Sequence, residues 1–166
     1  TPAWHEGVVY SFVEGILIAH DPETGVESWS LDVGWDWSAW SMTTAPVVDG
    51  NAAYLATSQG LFAVDIDAQM TLWHIEGNYS GIPAIANGIV YAFVAGAVES
   101  YDAETGDYLG IYVGDGTLFG QPLGTDDKLM FSGADSIWIY DLESRVEQMR
   151  LEATGYLTLA DGRTIG

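Results

Sequence analysis

Four aspartates set the rhythm of this chain. Asp21, Asp65, Asp102 and Asp141 stand 44, 37 and 39 residues apart. A carboxylate can take a proton, hold calcium or brace a turn, and its surroundings decide which. Around each aspartate lies a copy of Ile18-Ala19-His20-Asp21-Pro22-Glu23-Thr24-Gly25-Val26-Glu27-Ser28-Trp29. The weaker copies are Ala63-Val64-Asp65 to Trp73, then Tyr101-Asp102-Ala103-Glu104-Thr105-Gly106, then Tyr140-Asp141. Upstream of each stands an aromatic, Tyr10, Tyr54, Tyr91 and Phe131, and before it a proline, Pro2, Pro46, Pro83 and Pro122. Proline to aromatic is eight residues three times and nine once; aromatic to aspartate is eleven three times and ten once. Carboxylates repeated in so fixed a frame read as architecture.

A different chemistry sits in Gly34-Trp35-Asp36-Trp37-Ser38-Ala39-Trp40, which holds three of the seven tryptophans. The first period exceeds the other two by five to seven residues, and the excess falls here. Indole offers a large rigid face for apolar side chains, proline or sugar rings, with an N–H for orientation. Trp35, Trp37 and Trp40 are therefore the expected ligand-binding residues, and packing between repeats is the competing reading. His5, His20 and His74 lie in different repeats at no metal-ligand spacing. With no cysteine there is no disulfide, thiolate metal site or thiol nucleophile. No serine occupies a Gly-x-Ser-x-Gly elbow, and no phosphate-binding glycine pattern precedes a helix. Neither catalytic residues nor a metal site are expected.

The elements that must carry these residues are strands. Asp49-Gly50, Asn87-Gly88 and Asp126-Asp127 mark tight turns, because Gly, Asn and Asp tolerate positive φ. β-rich runs flank them, such as Ile89-Val90-Tyr91-Ala92-Phe93-Val94. Second turns follow at Glu14-Gly15, Gln59-Gly60, Ala95-Gly96 and Ala134-Asp135, then a third strand, the Asp-x-x-Thr-Gly reversal and a fourth strand. Periods of this length belong to propeller blades, small sheets that bury their faces only by stacking on one another. The expected fold is an all-β propeller of four-stranded antiparallel blades, with four complete repeats plus the start of a fifth. One segment spans 1–166, with repeats at about 1–40, 41–78, 79–117 and 118–154 and a closing or fifth-repeat strand at 155–166.

Proline, Asp-Gly turn, aromatic and Ala-x-Asp-x-x-Thr-Gly-x-x-x-Trp together resemble the repeat of the PQQ-like (quinoprotein dehydrogenase-like) β-propellers. Repeat one matches fully, with Ala19, Asp21, Gly25 and Trp29; repeat two keeps Ala63, Asp65 and Trp73 but has Gln69 at the glycine. Repeat three keeps Asp102 and Gly106 with Gly110 at the tryptophan; repeat four keeps Asp141, with Arg145 and Met149 at the other two. The resemblance implies that the tryptophan wedges between sheets beside the small alanine. Quinone-dependent relatives need basic groups for the cofactor, a calcium ligand set and a catalytic aspartate, and the methanol-type enzymes also a vicinal disulfide. The match falls on the structural motif alone, and the first three repeats hold no lysine or arginine. The resemblance therefore points to the non-catalytic branch, which includes an outer-membrane assembly lipoprotein and sensor domains attached to bacterial kinases. The expected function is an extracytoplasmic binding or scaffold module for a protein, peptide or glycan, not an enzyme. A fragment of a PQQ-dependent dehydrogenase-like enzyme and a purely structural repeat segment stand behind it.

Charge narrows the partners. There are 24 acidic residues against four basic ones, Lys128, Arg145, Arg150 and Arg163, for a net charge of -20. Nucleic acid binding needs cations to displace counterions, and anionic membrane surfaces make the same demand. Gly77 to Val98 carries no charge for 22 residues, but Pro83, Asn87-Gly88 and Gly96 fall in phase with the repeat, so the stretch reads as strands and not as a membrane span. No cofactor is expected; calcium is the one ion the acidity leaves open, although the acids are scattered over turns instead of gathered at ligand spacing. The segment has no secretory leader and reads as part of a longer propeller, which as an isolated chain would form an edge-to-edge or face-to-face homodimer; a closed four-bladed ring is the alternative.

An acidic shell makes a testable demand on salt. The Debye length falls from about 10 Å at 0.1 M to about 3 Å at 1 M, so sodium or potassium chloride should raise the melting temperature. Millimolar calcium should add no more than sodium chloride of equal ionic strength. Differential scanning fluorimetry across both series checks this, and a large calcium-specific rise would demand a metal site.

Overall fold

The structure, a computed structural model, describes residues 2–33, 45–114, 118–153, 157–160 and 163–165. Strands β1 (Ala3–His5), β2 (Val8–Val13), β3 (Ile16–His20) and β4 (Glu27–Asp32) form the first sheet in that order. The second comprises β5 (Val47–Asp49), β6 (Ala52–Thr57), β7 (Gly60–Asp65) and β8 (Met70–Glu76). The third comprises β9 (Tyr79–Ala86), β10 (Ile89–Val94), β11 (Ala97–Asp102) and β12 (Tyr108–Val113). The fourth comprises β13 (Leu118–Gly124), β14 (Lys128–Gly133), β15 (Ile137–Asp141) and β16 (Glu147–Leu151). Each is an up-and-down sheet in chain order, the expected blade. At the tail, β17 (Thr158–Ala160) and β18 (Arg163–Ile165) pair as a two-stranded sheet of their own.

The hairpins use the positive φ that their right-handed twist requires. Glu6-Gly7, Glu14-Gly15, Asn87-Gly88 and Ala95-Gly96 each hold two consecutive residues there. In the second sheet the turns fall one residue from where the sequence put them, at Gly50-Asn51 and Ser58-Gln59. Every blade also carries a bulge between its third and fourth strands, at Ala19/His20, Ala63/Val64, Ser100/Tyr101 and Ile139/Tyr140. One extra residue per fourth strand, Ser28, Leu72, Leu109 or Gln148, is thereby left without a partner in the ladder.

The chain divides into two compact units, Thr1–Ile82 and Pro83–Gly166. In the first unit one core joins two sheets. The face of the first sheet that carries Tyr10, Leu17, Ala19 and Trp29 packs on Ala53, Leu55, Phe62 and Val64 of the second. In the second unit Tyr91, Phe93, Val98 and Tyr112 of the third sheet meet Leu129, Phe131 and Trp138 of the fourth. The rule is the same in both units. A blade's aromatic and small residues meet the opposite face of the blade that follows, whose strands alternate two usable faces. Phe131 stacks on Trp138 at 5.5 Å, and Tyr112 meets Tyr140 edge-on at 5.3 Å.

Register corrects one assignment. Tyr10 pairs with Ala19, Tyr54 with Ala63 and Tyr91 with Ser100, each two residues before the repeat aspartate. In the fourth sheet the residue opposite Ile139 is Met130, while Phe131 pairs with Trp138. Met130 lies eight residues from Pro122 and eleven from Asp141, the spacing of the other repeats. Phe131 is one residue out of phase, and one residue moves a side chain to the other face. It therefore serves the core between the third and fourth sheets, and Met130 takes the tyrosine's place on the far side.

The two faces should respond differently to truncation. Phe131→Ala empties a fully buried aromatic site and is expected to cost about 3–5 kcal/mol. Met130→Ala truncates a side chain that is also buried, but on the opposite face and beside an open concavity, and is expected to cost about 2 kcal/mol, the low end for Met→Ala. Urea unfolding of the two variants measures the difference; equal costs would put both residues in one core.

Candidate functional site

The four repeat aspartates occupy one local geometry. Asp21 Oδ1 accepts bonds from the backbone N–H of Glu23 (3.0 Å) and Thr24 (2.8 Å) and from the Thr24 hydroxyl (2.8 Å). Asp102 Oδ1 does the same with Glu104 (3.0 Å), Thr105 (2.9 Å) and the Thr105 hydroxyl (3.2 Å). Asp65 accepts from the N–H groups of Asp67 and Ala68 and from Asn51 Nδ2, all within 2.9 Å. Asp141 accepts from the Ser144 N–H and hydroxyl at 2.8 Å, and its second oxygen takes Lys128 Nζ at 3.0 Å and Gln148 Nε2 at 3.2 Å. The aspartate side chain, joined by the hydroxyl of Thr24, Thr105 or Ser144 in three of the repeats, thus closes the third reversal of each blade by replacing backbone partners. The residue that follows the turn has positive φ in all four repeats: Gly25 (70°), Gln69 (55°), Gly106 (76°) and Arg145 (58°). Glycine takes this conformation freely, whereas glutamine and arginine hold it under strain.

At Asp21, Asp102 and Asp141 these bonds favour the charged carboxylate. The backbone N–H of Thr24, then its hydroxyl, holds Asp21 below the usual carboxylate range; the Thr105 N–H does the same for Asp102. For Asp141 the Ser144 N–H leads, followed by the Ser144 hydroxyl and Lys128. Such a carboxylate is a poor base. Of the histidines, His20 Nε2 shares a 2.8 Å bond with Ser11 Oγ, and His74 stacks on Phe62 at 4.0 Å. Among the described residues no three His, Cys, Asp or Glu side chains gather as a metal site.

The structural motif residues face one another across the ladder. Ala19 is opposite Trp29 and Ala63 opposite Trp73, and the indoles lie 6.1 and 6.0 Å from Tyr10 and Tyr54. In the third repeat Ser100 is opposite Gly110, and the Arg145 guanidinium fills the vacancy: a Cβ on Gly110 would stand 2.5 Å from Arg145 Nη1. Arg145 also donates to the Leu109 carbonyl. Burial pushes the neighbouring Tyr91 hydroxyl up to about 12.

In the fourth repeat Ile139 and Met149 take the alanine and tryptophan positions, and a concavity of about 530 Å³ opens over them. Met130, Ile139 and Met149 line it, with Thr125, Asp126, Asp127, Lys128 and Gln148 beside them. Lys128 bridges Asp127 and Asp141 at 3.0 Å to each. Sequence reasoning missed this site; the signal was the loss of both alanine and tryptophan from one repeat. Trp35, Trp37 and Trp40, the expected ligand-binding residues, lie outside the described residues.

No protein-family model matches the chain. It is 32% identical over 116 residues to the serine/threonine-protein kinase AfsK of Streptomyces griseus, which covers 63% of this chain and 14% of the kinase. Among solved structures, BamB from Moraxella catarrhalis superposes with a TM-score of 0.83 at 19% identity, over 98% of this chain and 52% of that one. The fold is that of the PQQ-like β-propellers. The quinohemoprotein alcohol dehydrogenase ADHIIG from Pseudomonas putida shares it, with a TM-score of 0.77 at 18% identity over 99% of this chain and 37% of the enzyme. The chain thus spans about half of BamB or less of each of these proteins. No helix among the described residues is long and apolar enough to cross a membrane.

The turn bonds can be titrated. Asp21, Asp102 and Asp141 have folded-state values below the unfolded value of about 3.9, so their contribution to stability is present above that value and lost as pH falls through the folded one. Asp102→Asn should melt lower than the wild type near neutral pH, and the gap should narrow as pH falls below about 4. Thermal melts across that range check the sign; a constant gap would mean that ionisation of Asp102 is not what the turn uses.

Proposed function

We propose that this chain is a non-enzymatic β-propeller binding or scaffold module, extracytoplasmic, that recognises a protein, peptide or glycan through loops on one face. The observation that carries the reading is the first connection between blades. Fourteen residues separate β4 from β5, against two between β8 and β9 and four between β12 and β13. Blade geometry does not require so long a link, and recognition usually sits on loops held by a rigid scaffold. Trp35, Trp37 and Trp40 all fall within that link in the sequence, and indole is a side chain suited to recognition.

Two further facts support a non-catalytic role. The repeat aspartates are committed to turns, and residues 1–127 contain no lysine or arginine to receive an anionic cofactor. The match to AfsK extends over a small part of that kinase, which fits a propeller serving as the sensing portion of a larger protein. The dehydrogenase reading has only a shared fold behind it.

Trp37→Ala tests the assignment. The variant should melt within about 2 °C of the wild type, as surface substitutions do. It should also bind at least about tenfold more weakly to whatever ligand a glycan or peptide array identifies for the wild type. A loss of several kcal/mol in stability, as when a core aromatic site is emptied, would make the loop packing instead of recognition.

A further inference from the structure

The third and fourth sheets are joined by side-chain clasps as well as by their shared core. Gln121 Nε2 donates to the Pro83 carbonyl at 3.3 Å, the Tyr140 hydroxyl to the Val113 carbonyl at 2.9 Å, and Arg145 to the Leu109 carbonyl. A further clasp is Asn87. Its Nδ2 donates to the carbonyls of Asp126 at 3.0 Å and Thr125 at 3.4 Å, in the turn that leads into β14. Asn87 and Gly88 form the two-residue turn between β9 and β10 and are both exposed. Both have positive φ, 52° and 71°, and a Cβ on Gly88 would meet nothing within 4 Å. Of the four clasping side chains only that of Asn87 precedes a glycine, and solvent reaches it.

We propose that Asn87 is a site of spontaneous deamidation, restrained while the fourth sheet's turn holds its amide, and that its conversion releases this clasp irreversibly. The Gly88 backbone nitrogen attacks the Asn87 side-chain carbonyl carbon, and the new N–C bond closes a five-membered imide. The side-chain nitrogen leaves as ammonia, taking the proton that the Gly88 nitrogen gives up. Water then opens the imide at either carbonyl and leaves aspartate or isoaspartate. Glycine matters because it has no Cβ to shield the attacking nitrogen. Asn51 precedes Ala52 and Asn78 precedes Tyr79, so neither has that freedom. Gln121 is barred from the same route, because Pro122 has no N–H to give up. After conversion a carboxylate faces two carbonyl oxygens where an amide donor stood, opposite a turn that also carries Asp126 and Asp127. Isoaspartate adds a main-chain carbon to a two-residue turn, which β9 and β10 cannot absorb in register. The reaction is independent of what the tryptophan link recognises.

Peptide mass mapping of the folded 166-residue chain, aged in mildly alkaline buffer, reads the conversion and its isoaspartate fraction. Asn87 should convert while Asn51 and Asn78 stay intact. In urea, where the clasp is gone, Asn87 should convert at least about tenfold faster. Thr125→Ala removes the hydroxyl that accepts the Lys128 N–H at 3.0 Å and so loosens the turn that presents both carbonyls. Folded, this variant should convert several-fold faster than the wild type, whereas Thr24→Ala, a like loss in the first unit, should not. The converted protein, separated by its added negative charge, should melt lower than the unconverted at neutral pH, and Asn87→Asp should do the same. That deficit should shrink as pH falls, because a protonated carboxyl can donate again. If Asn87→Asp does not fold, the aged fraction supplies the comparison. No conversion of Asn87 even in urea overturns the modification site. Equal rates in the folded and unfolded chain, or equal acceleration by Thr24→Ala and Thr125→Ala, overturn the restraint by the clasp. A converted protein that melts with the wild type overturns the release.

Discussion

A four-stranded sheet of about two dozen residues has two apolar faces and no way to bury either alone, and the structure is organised by that constraint. Within each unit one blade answers it by meeting the other. On one side stands an aromatic residue, then a small one, then an indole, paired straight across three strands as Tyr10, Ala19 and Trp29 or as Tyr54, Ala63 and Trp73. On the other side stand branched and aromatic residues such as Leu55, Phe62 and Val64. The small residue matters because the tryptophan lies beside it, and a larger side chain in the middle strand would hold the sheets apart. The bulge before each tryptophan position aims that side chain, and its recurrence in all four blades shows that it belongs to the motif.

The repeat aspartates belong to the same constraint at one remove. Strands three and four can stack on a neighbour only if the reversal between them is tight. Asp21, Asp65, Asp102 and Asp141 supply the acceptors that make it so. This use excludes another. At Asp21, Asp102 and Asp141 these bonds hold the carboxylate in its charged form, which has little affinity for a substrate proton. Recurrence and local saturation are therefore two views of one role, and the residues that look most like chemistry in the sequence are those most fully spent on structure.

Much of this was legible because a repeat states its own frame. Strand order, the turns at Glu14-Gly15, Asn87-Gly88 and Ala95-Gly96, and the place of each aspartate all follow from spacing and from the φ that glycine and asparagine allow. What stayed hidden depended on pairing. Phe131 looked like the fourth repeat's aromatic because it is aromatic. Its spacing was one residue out in both directions, and in a strand that difference selects the other face. The cavity over Met130, Ile139 and Met149 was hidden for the same reason, since it exists only once those three are known to share a row. The tryptophan-rich link was visible from period length alone, with nothing in the repeat to template it.

The third and fourth repeats show how such a frame survives decay. The third has lost its tryptophan to Gly110, which should leave a void between sheets. The fourth has Arg145 where glycine would hold positive φ without strain. Each departure alone is a cost, yet the Arg145 side chain enters the space that Gly110 leaves and bonds the Leu109 carbonyl beside it. A tryptophan restored at position 110 would collide with that guanidinium, and a glycine restored at 145 would reopen the void. The two positions are therefore coupled although 35 residues separate them, and neither can return to the repeat pattern without the other. The second repeat has no such exchange: Gln69 takes the glycine's place with φ at 55° while Trp29 of the preceding repeat is retained, so no missing indole stands there to offset the strain. Departure from the motif is thus of two kinds, and only contact between repeats tells them apart.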